Sequence, residues 1–318
     1  MKKIKTIIAA AIAGVVALVA CACGTSAPTL SLDSPAPWVH AGEPKNAYEK
    51  CVYSIERRDV TTDTVVATGT LTLTIAPAPD SDKSSLTTSM TITYNDAAPD
   101  SDRGLTDTIN SSVVFAPASL TPEKSYKKIE LAPRAGEKTN FSYELTNDYA
   151  AGISTLNYYN RENATSEVKV GDNTLMNVYD NEMIYYVARA AAGIKAEGGG
   201  SFANACWFDM HGTGKFAYRT VSFSCGKEPE SMGTFGFLSP YTADGSVAAI
   251  KTSLTMSGEN SGPSIELWLS STDFKIGSDD SDKTRKVMIK MATTEYDVGQ
   301  ATKKYVTSYV LSDYSVTP

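Results

Sequence analysis

The sequence predicts a mainly β protein in which one large antiparallel sheet curls into a half-barrel, with one mid-chain helix packed on its concave face. Apolar and polar residues alternate with a period of two along most of the chain after residue 46. This alternation indicates strands with one packed and one solvated face. The segments follow each other without the strand–helix alternation of a parallel sheet, and a large twisted sheet tends to curl.

Residues 1–20 have the layout of a signal peptide. Three lysines within the first five residues precede an uncharged, largely apolar run that ends at Ala20. The run is shorter than the roughly 20 apolar residues of a transmembrane helix, so we expect an exported chain whose mature part does not span the bilayer.

The end of this signal resembles the lipobox of bacterial lipoproteins, in the sequence Leu18-Val19-Ala20-Cys21. In that family the cysteine receives a diacylglycerol, so the resemblance implies lipidation of Cys21 and anchoring at the extracytoplasmic face of the cell membrane. Two or three acyl chains, such as palmitate, make the anchoring durable. Cys23 competes as acceptor but lacks a leucine three positions upstream, and an ordinary secretory signal is the alternative.

Residues 21–45 predict a flexible tether, because they are rich in Ala, Ser, Pro and Gly. No break in composition follows, so we expect residues 46–318 to form a single β-rich domain, with a second small sub-domain as the alternative.

The formal charge of −7 becomes −10 once the three signal lysines are removed. An acidic body stands away from anionic lipid headgroups and is not a default partner for nucleic acid.

The strands predicted from the alternation are 51–55, 70–75, 86–94, 109–115, 125–131, 139–147, 149–159, 202–209, 215–225, 247–257, 264–270, 285–292 and 304–314. Three acidic segments, 79–83, 99–103 and 279–283, fit the turns between such strands. None has the glycine and distal glutamate of a calcium loop, so we interpret them as solvated hairpin loops and expect no metal site.

The helix is predicted at residues 183–193. Met183, Val187 and Ile194 fall on one helical stripe, Asp180 suits the N-cap, and Gly193 suits the C-terminal end.

Cys206 and Cys225 lie on adjacent predicted strands and form a candidate disulfide. A hairpin centred near residues 212–214 puts them out of register, so the bond requires a bulge or a longer loop.

No catalytic constellation is present in the sequence. The chain has two histidines and no Gly-x-Ser-x-Gly motif, and none of its three Ser-x-x-Lys matches lies in a helical pattern, which would put the two side chains one turn apart. We therefore expect neither an enzyme nor a cofactor.

An exported lipoprotein with a long antiparallel sheet and one helix resembles the LolA/LolB/LppX-type half-barrels. The resemblance rests on the helix start at 180–186 and on the late strands at 265–270 and 287–291. It implies a hydrophobic concave pocket that holds acyl chains, and it extends to no residue-level binding signature.

The candidate lining of such a pocket is Leu71, Leu73, Met183, Tyr186, Val187 and Trp268. For each residue the alternative is a place in a closed apolar core. The predicted function is therefore a non-enzymatic, membrane-anchored lipoprotein whose partners are the membrane and an apolar small molecule. An envelope scaffold or adhesion module whose Thr/Ser-rich outer face binds protein or cell wall is the alternative, and no protein partner is identified.

Overall fold

The computed structural model describes residues 48–79, 81–117, 120–132, 142–158, 165–169, 178–194, 199–208, 215–256, 264–272, 274–275, 284–296 and 302–317. The strands are β1 (Tyr48–Asp59), β2 (Thr64–Pro77), β3 (Ser84–Tyr94), β4 (Thr106–Phe115), β5 (Pro122–Glu130), β6 (Tyr143–Asp148), β7 (Ile153–Tyr158), β8 (Thr165–Lys169), β9 (Val178–Asp180), β10 (Gly199–Phe208), β11 (Lys215–Cys225), β12 (Glu230–Thr234), β13 (Ser246–Met256), β14 (Ser264–Ser270), β15 (Phe274–Lys275), β16 (Thr284–Arg285), β17 (Met288–Tyr296) and β18 (Lys303–Thr317). The α-helix is α1 (Ile184–Ile194), and short 3₁₀ turns span Asn181–Met183, Gly236–Leu238 and Ala243–Gly245.

One curled sheet contains sixteen of the described strands, in the order β8-β7-β6-β5-β4-β3-β2-β1-β18-β17-β14-β13-β11-β10-β9, with β12 also paired to β13. Strands β15 and β16 form a separate ribbon. Two meanders therefore meet at the central β1–β18 pair, which joins the start and the end of the described chain. The neighbours are antiparallel apart from the parallel β9–β10 pair. The predicted fold class is confirmed, and the described sheet is not closed by strand pairing.

The alternation of residues assigns the two faces of the sheet. Leu71 of β2 lies opposite Tyr53 of β1 and Met90 of β3, and this row faces the concave side. The adjacent row contains Thr70 and Thr91, on the convex face. This pattern follows from the pleat, in which successive side chains point to opposite faces.

Strand β2 approaches β3 closely at one glycine. A Cβ atom at Gly69 would lie 1.9 Å from the carbonyl oxygen of Thr91, so the close approach excludes any larger residue. A glycine within a strand is typical of such a bend or close backbone contact.

The helix begins as the sequence predicts. Asp180 has extended backbone angles, and its carboxylate accepts a hydrogen bond from the Glu182 backbone N–H at 2.8 Å. The first turn is 3₁₀, and α1 continues from Ile184 to Ile194. Met183, Val187 and other residues at the start of the helix are buried in the core that the concave face provides. In the described part of the chain, no helix has the length and apolarity needed to cross a membrane.

Several predicted boundaries differ from the structure. The segment 285–292 is divided between β16 and β17, and residues 149–152 form a turn before β7, with Gly152 at a φ of 66°. The acidic segment at 99–103 forms the β3–β4 loop as predicted, and 79–83 lies in the β2–β3 loop, apart from Asp80, which is not among the described residues. The segment 279–283 lies outside the described residues.

Candidate functional site

A cavity of about 190 Å³ lies between the start of α1 and the concave face of the sheet. Its apolar walls come from strands β2, β3, β4 and β17 and from the first residue of the helix: Leu71, Leu73, Met90, Ile109, Met291 and Ile184. Polar groups from Lys127, Glu182 and Tyr309 reach the same space. The arrangement of apolar walls with a few convergent polar groups is typical of a small-molecule site.

A second, smaller cavity of about 30 Å³ lies beside the first. Leu73, Glu182 and Tyr185 line both spaces, so the two are neighbours along the helix. Its volume equals roughly one water molecule's share of liquid volume. The smaller space is therefore an extension of the larger one toward Glu49 and Arg189, which contribute its charged wall.

An ion pair between Lys127 of β5 and Glu182 forms part of the wall of the larger cavity. The Lys127 ammonium lies 2.7 Å from Glu182 Oε1, and the two side chains are only 17% and 15% exposed. Asn181 Nδ2 donates to the same oxygen at 3.2 Å.

Both members of this pair are charged at neutral pH. Burial disfavours the charge on Lys127, but the Glu182 carboxylate, with smaller contributions from Tyr143 and Asp180, raises the pKa of Lys127 above its ordinary value. Burial likewise opposes the charge on Glu182, and the Lys127 ammonium holds the pKa of Glu182 below its ordinary value. The cavity therefore contains one positive and one negative group in a poorly solvated wall.

A second ion pair connects the helix to the first strand. Arg189 of α1 donates two hydrogen bonds to Glu49 of β1, at 2.6 and 3.0 Å. The side chains are 6% and 1% exposed. Tyr314 of β18 donates to Glu49 Oε2 at 3.3 Å, and the Cys51 thiol contacts Oε1 at 3.8 Å. Glu49 thus receives donors from the helix, from the neighbouring strand β18 and from its own strand.

The buried carboxylate of Asp180 connects opposite parts of the curled sheet. Asp180 ends β9, at one edge of the sheet, and its Oδ2 atom accepts hydrogen bonds from Ser125 of β5 at 2.5 Å and Tyr149 at 2.5 Å. Asn147 of β6 donates to the same atom at 3.3 Å and accepts from Ser154 of β7. These side chains hold β9 against strands near the other edge, across the interior that the sheet encloses.

Burial raises the pKa of Asp180, and the nearby Glu182 carboxylate raises it further. The hydrogen bonds from Ser125 and Tyr149 oppose this shift because they favour the ionised form. The cluster thus connects the two meanders through a carboxyl group whose pKa burial raises above its ordinary value.

Three of the six predicted pocket residues line a cavity. Leu71 and Leu73 line the larger space, and Leu73 and Tyr186 line the smaller one. Met183 and Val187 are fully buried, at 0% exposure, and pack in the closed core instead.

Trp268 does not line the cavity, which corrects the prediction for this residue. Trp268 pairs in register with Lys251 of β13 and Lys290 of β17. Their ammonium groups lie 5.2 and 4.6 Å from the centre of the indole ring. The indole N–H donates a hydrogen bond to Glu230. The alternation along β14 places Leu267 inside and Trp268 on the convex face, where lysine stems and Glu230 cover it.

The candidate disulfide between Cys206 and Cys225 does not form, and Cys225 has a free thiol. Cys206 pairs with Ala217 in the β10–β11 register, whereas Cys225 pairs with Thr252 of β13. Ala217 and Cys225 are eight residues apart on one strand, which corresponds to about 27 Å. A disulfide requires Cα atoms within roughly 7 Å. Cys21 lies outside the described residues.

The sequence reasoning did not identify Glu49, Lys127 and Arg189 as site residues. A signal was available, because Glu49 shares the inward alternation of Cys51 and Tyr53. Arg189 is the single charged residue among the eleven of α1. A charge at an inward position requires a buried partner of opposite sign, so each residue predicts the other.

In a comparison with solved structures, this fold is similar to that of a β-barrel-like protein from Brucella abortus, described as a domain of unknown function, DUF1849. The TM-score is 0.51 at 6% sequence identity, over 86% of this chain and 99% of the other. No family model matches the sequence, and no curated protein sequence matches it. At this identity the comparison concerns the fold: the chain has the architecture of a β-barrel-like protein.

Proposed function

We propose that this protein is a lipid-anchored, extracytoplasmic lipoprotein that binds an apolar small molecule, without catalysis, between the curled sheet and α1. The observation that carries the ligand site is the cavity of about 190 Å³ with walls of leucine, isoleucine and methionine. Several of these wall residues, among them Leu73, Met90 and Ile109, are only half-buried. An apolar ligand in this space would remove their exposed surface from water, which is the main driving force for apolar binding.

The volume limits the size of the ligand. An apolar cavity of about 150 Å³ suffices for benzene, so about 190 Å³ accommodates roughly six or seven non-hydrogen atoms. Sites for drug-sized molecules have volumes of about 300–1,000 Å³. The ligand that fits is a small apolar molecule or the end of one acyl chain, and a longer chain requires displacement of α1.

The ligand site is tested by native mass spectrometry of the full-length chain after incubation with membrane extract. We expect adducts of small amphiphile mass that disappear on denaturation. Leu73→Trp places an indole into both cavities and should abolish the adducts, since Leu73 lines both. Thr72→Trp, one residue away on the convex face, is the matched control and should retain them. Absence of adducts from the folded wild-type chain, or equal adducts in both variants, would contradict the proposal.

The lipid anchor rests on the lipobox at Leu18–Cys21 and on the tether-like composition of residues 21–45. Metabolic labelling with a palmitate analogue in a bacterial host tests it. We expect Cys21→Ser to abolish the label and release the protein from the membrane, because the acyl chains provide the anchoring free energy. Cys23→Ser should remain labelled and membrane-bound. A labelled Cys21→Ser variant would refute the assignment.

A second candidate function is adhesion through the convex face. There, hydroxyl side chains form rows across β1 to β4, one of which contains Ser54, Thr70, Thr91 and Thr108. A broad hydroxyl-rich surface suits a protein or cell-wall partner better than an apolar ligand. A folded protein that carries no adduct but sediments with insoluble cell wall would favour this function over the ligand site.

A further inference from the structure

The charged wall of the cavity restricts the chemistry of the ligand's polar group. Lys127 and Glu182 both line the larger space and form an ion pair with no net charge. The other polar residues on this wall, among them Thr88, Asn181 and Tyr309, are uncharged. Among the described residues, Lys127 donates one hydrogen bond, to Glu182, so two of its three N–H donors remain for a ligand.

We infer that the ligand carries an uncharged, hydroxyl-bearing polar group, as a short-chain alcohol does, and that this group lies against the Lys127–Glu182 pair with its apolar chain between Leu71, Leu73 and Met90. This inference rests on the proposed ligand site. A hydroxyl accepts a hydrogen bond from the ammonium and donates one to the carboxylate, so it satisfies both members of the pair without breaking it.

A charged polar group fits this wall less well. A carboxylate beside Lys127 also lies beside Glu182, and the buried Asp180 carboxyl next to Glu182 adds no positive charge. An ammonium group meets the like charge of Lys127. A third ion without its own partner is not compensated in a poorly solvated cavity, so either ion loses hydration without recovering it.

The other buried cation near the site does not change this balance. Arg189, on the wall of the smaller cavity, is neutralised by two hydrogen bonds to Glu49, which are short and charge-assisted. Among the described residues that line the two cavities, the charged groups therefore form two neutral ion pairs and leave no isolated positive centre. A site for a fatty acid or a phosphate would be expected to present such an isolated centre.

Three probes of equal chain length test the inference: 1-hexanol, hexanoate and hexylammonium. Their binding to the full-length chain at pH 7 is measured by isothermal titration calorimetry, with chemical shifts as a second readout. We expect 1-hexanol to bind about tenfold tighter than either ion, which corresponds to about 1.4 kcal/mol. The ranking in the wild-type protein needs no variant and therefore does not depend on how substitutions affect folding.

Two charge-changing variants should reverse this preference in opposite directions. Glu182→Gln leaves the ammonium of Lys127 without its partner, so hexanoate should become the tightest probe. Lys127→Met leaves the Glu182 carboxylate without its partner, so the affinity for hexylammonium should rise. The matched control is Lys128→Met, since Lys128 is the next residue of β5, on the other face, where it pairs with Glu130. Its ranking should equal that of the wild type.

The outcomes separate this inference from the proposed function. Binding of none of the three probes to the wild-type chain would refute both the ligand site and the inference. Binding of all three with equal affinity, or tightest binding of hexanoate, each sensitive to Leu73→Trp, would overturn the inference and leave the ligand site standing. Tightest binding of 1-hexanol that is also sensitive to Leu73→Trp would support both.

Discussion

Replacement of Arg189 by alanine is expected to lower the free energy of unfolding by about 3–5 kcal/mol, which is the usual loss when one partner of a buried ion pair is removed. Glu49 is 1% exposed and would keep its charge without the two hydrogen bonds that the guanidinium donates. Tyr314 and the Cys51 thiol also contact that carboxylate, and neither carries a positive charge. Most of the expected loss is therefore the cost of an uncompensated buried anion.

Urea denaturation followed by circular dichroism measures this loss. Arg58→Ala is the control, because Arg58 also contacts two carboxylates but is 39% exposed. Exposed pairs typically contribute less than about 1 kcal/mol. The combined substitution of Glu49→Leu and Arg189→Met should recover most of the stability, since an apolar pair removes both buried charges. Equal losses in Arg189→Ala and Arg58→Ala would show that the buried pair has no special role.

Substitution of Asp180 by alanine is expected to lower the free energy of unfolding by about 3 kcal/mol. Hydrogen bonds to a charged group each contribute about 1.5–3 kcal/mol to stability, and their contributions are not additive. Ser125, Tyr149 and Asn147 would lose their common acceptor in a site where Asp180 is 1% exposed. Because these residues hold β9 against β5 and β6, amide hydrogen exchange should rise first in β9 and β10.

Asp82→Ala is the control for this substitution, because its carboxylate is 76% exposed. A surface substitution of this kind usually changes the free energy of unfolding by less than about 0.5 kcal/mol. A loss at Asp180 no greater than at Asp82 would contradict a connecting role for the cluster. Unchanged exchange in β9 would contradict the same role by an independent measurement.

The stability difference between the wild type and Asp180→Asn should depend on pH with a defined sign. Burial raises the pKa of Asp180 in the folded state above the unfolded value of about 3.9. The folded protein then binds this proton more tightly than the unfolded chain. The resulting stabilisation is complete below pH about 3.9 and declines as the pH rises through the folded pKa.

Asparagine does not titrate, so the advantage of the wild type over Asp180→Asn should shrink between acidic and neutral pH. Glu182 acts with the opposite sign, because its lowered pKa adds stability that is lost as the pH falls. It is present in both proteins and largely cancels in the difference. Urea midpoints measured across pH 4–7 give the slope, and an advantage that grows with pH would contradict the raised pKa.

Local patterns were sufficient to predict most of the secondary structure. The alternation around Tyr53, Leu71 and Met90 predicts strands because pleating gives successive side chains opposite faces. Asp180 identifies the helix start because capping is a contact between residues close in sequence. Short strands such as β9 (Val178–Asp180) and β15 (Phe274–Lys275) were missed, since two or three residues are too few to display a period.

The composition, the lipobox-like segment and the period of two lie within the sequence itself, and they determined the expectation of an exported protein with a large antiparallel sheet. The tertiary structure decided which strands are neighbours, including the pairing of Ile55 with Tyr309 across most of the chain. It also decided that Trp268 lies outside and Leu267 inside, and that Lys127 meets Glu182. Alternation in the sequence separates the two faces of a strand, but only the packing of distant strands and of the helix determines which face is buried. The ion pair forms because this packing brings a lysine of one strand next to a glutamate at the start of the helix.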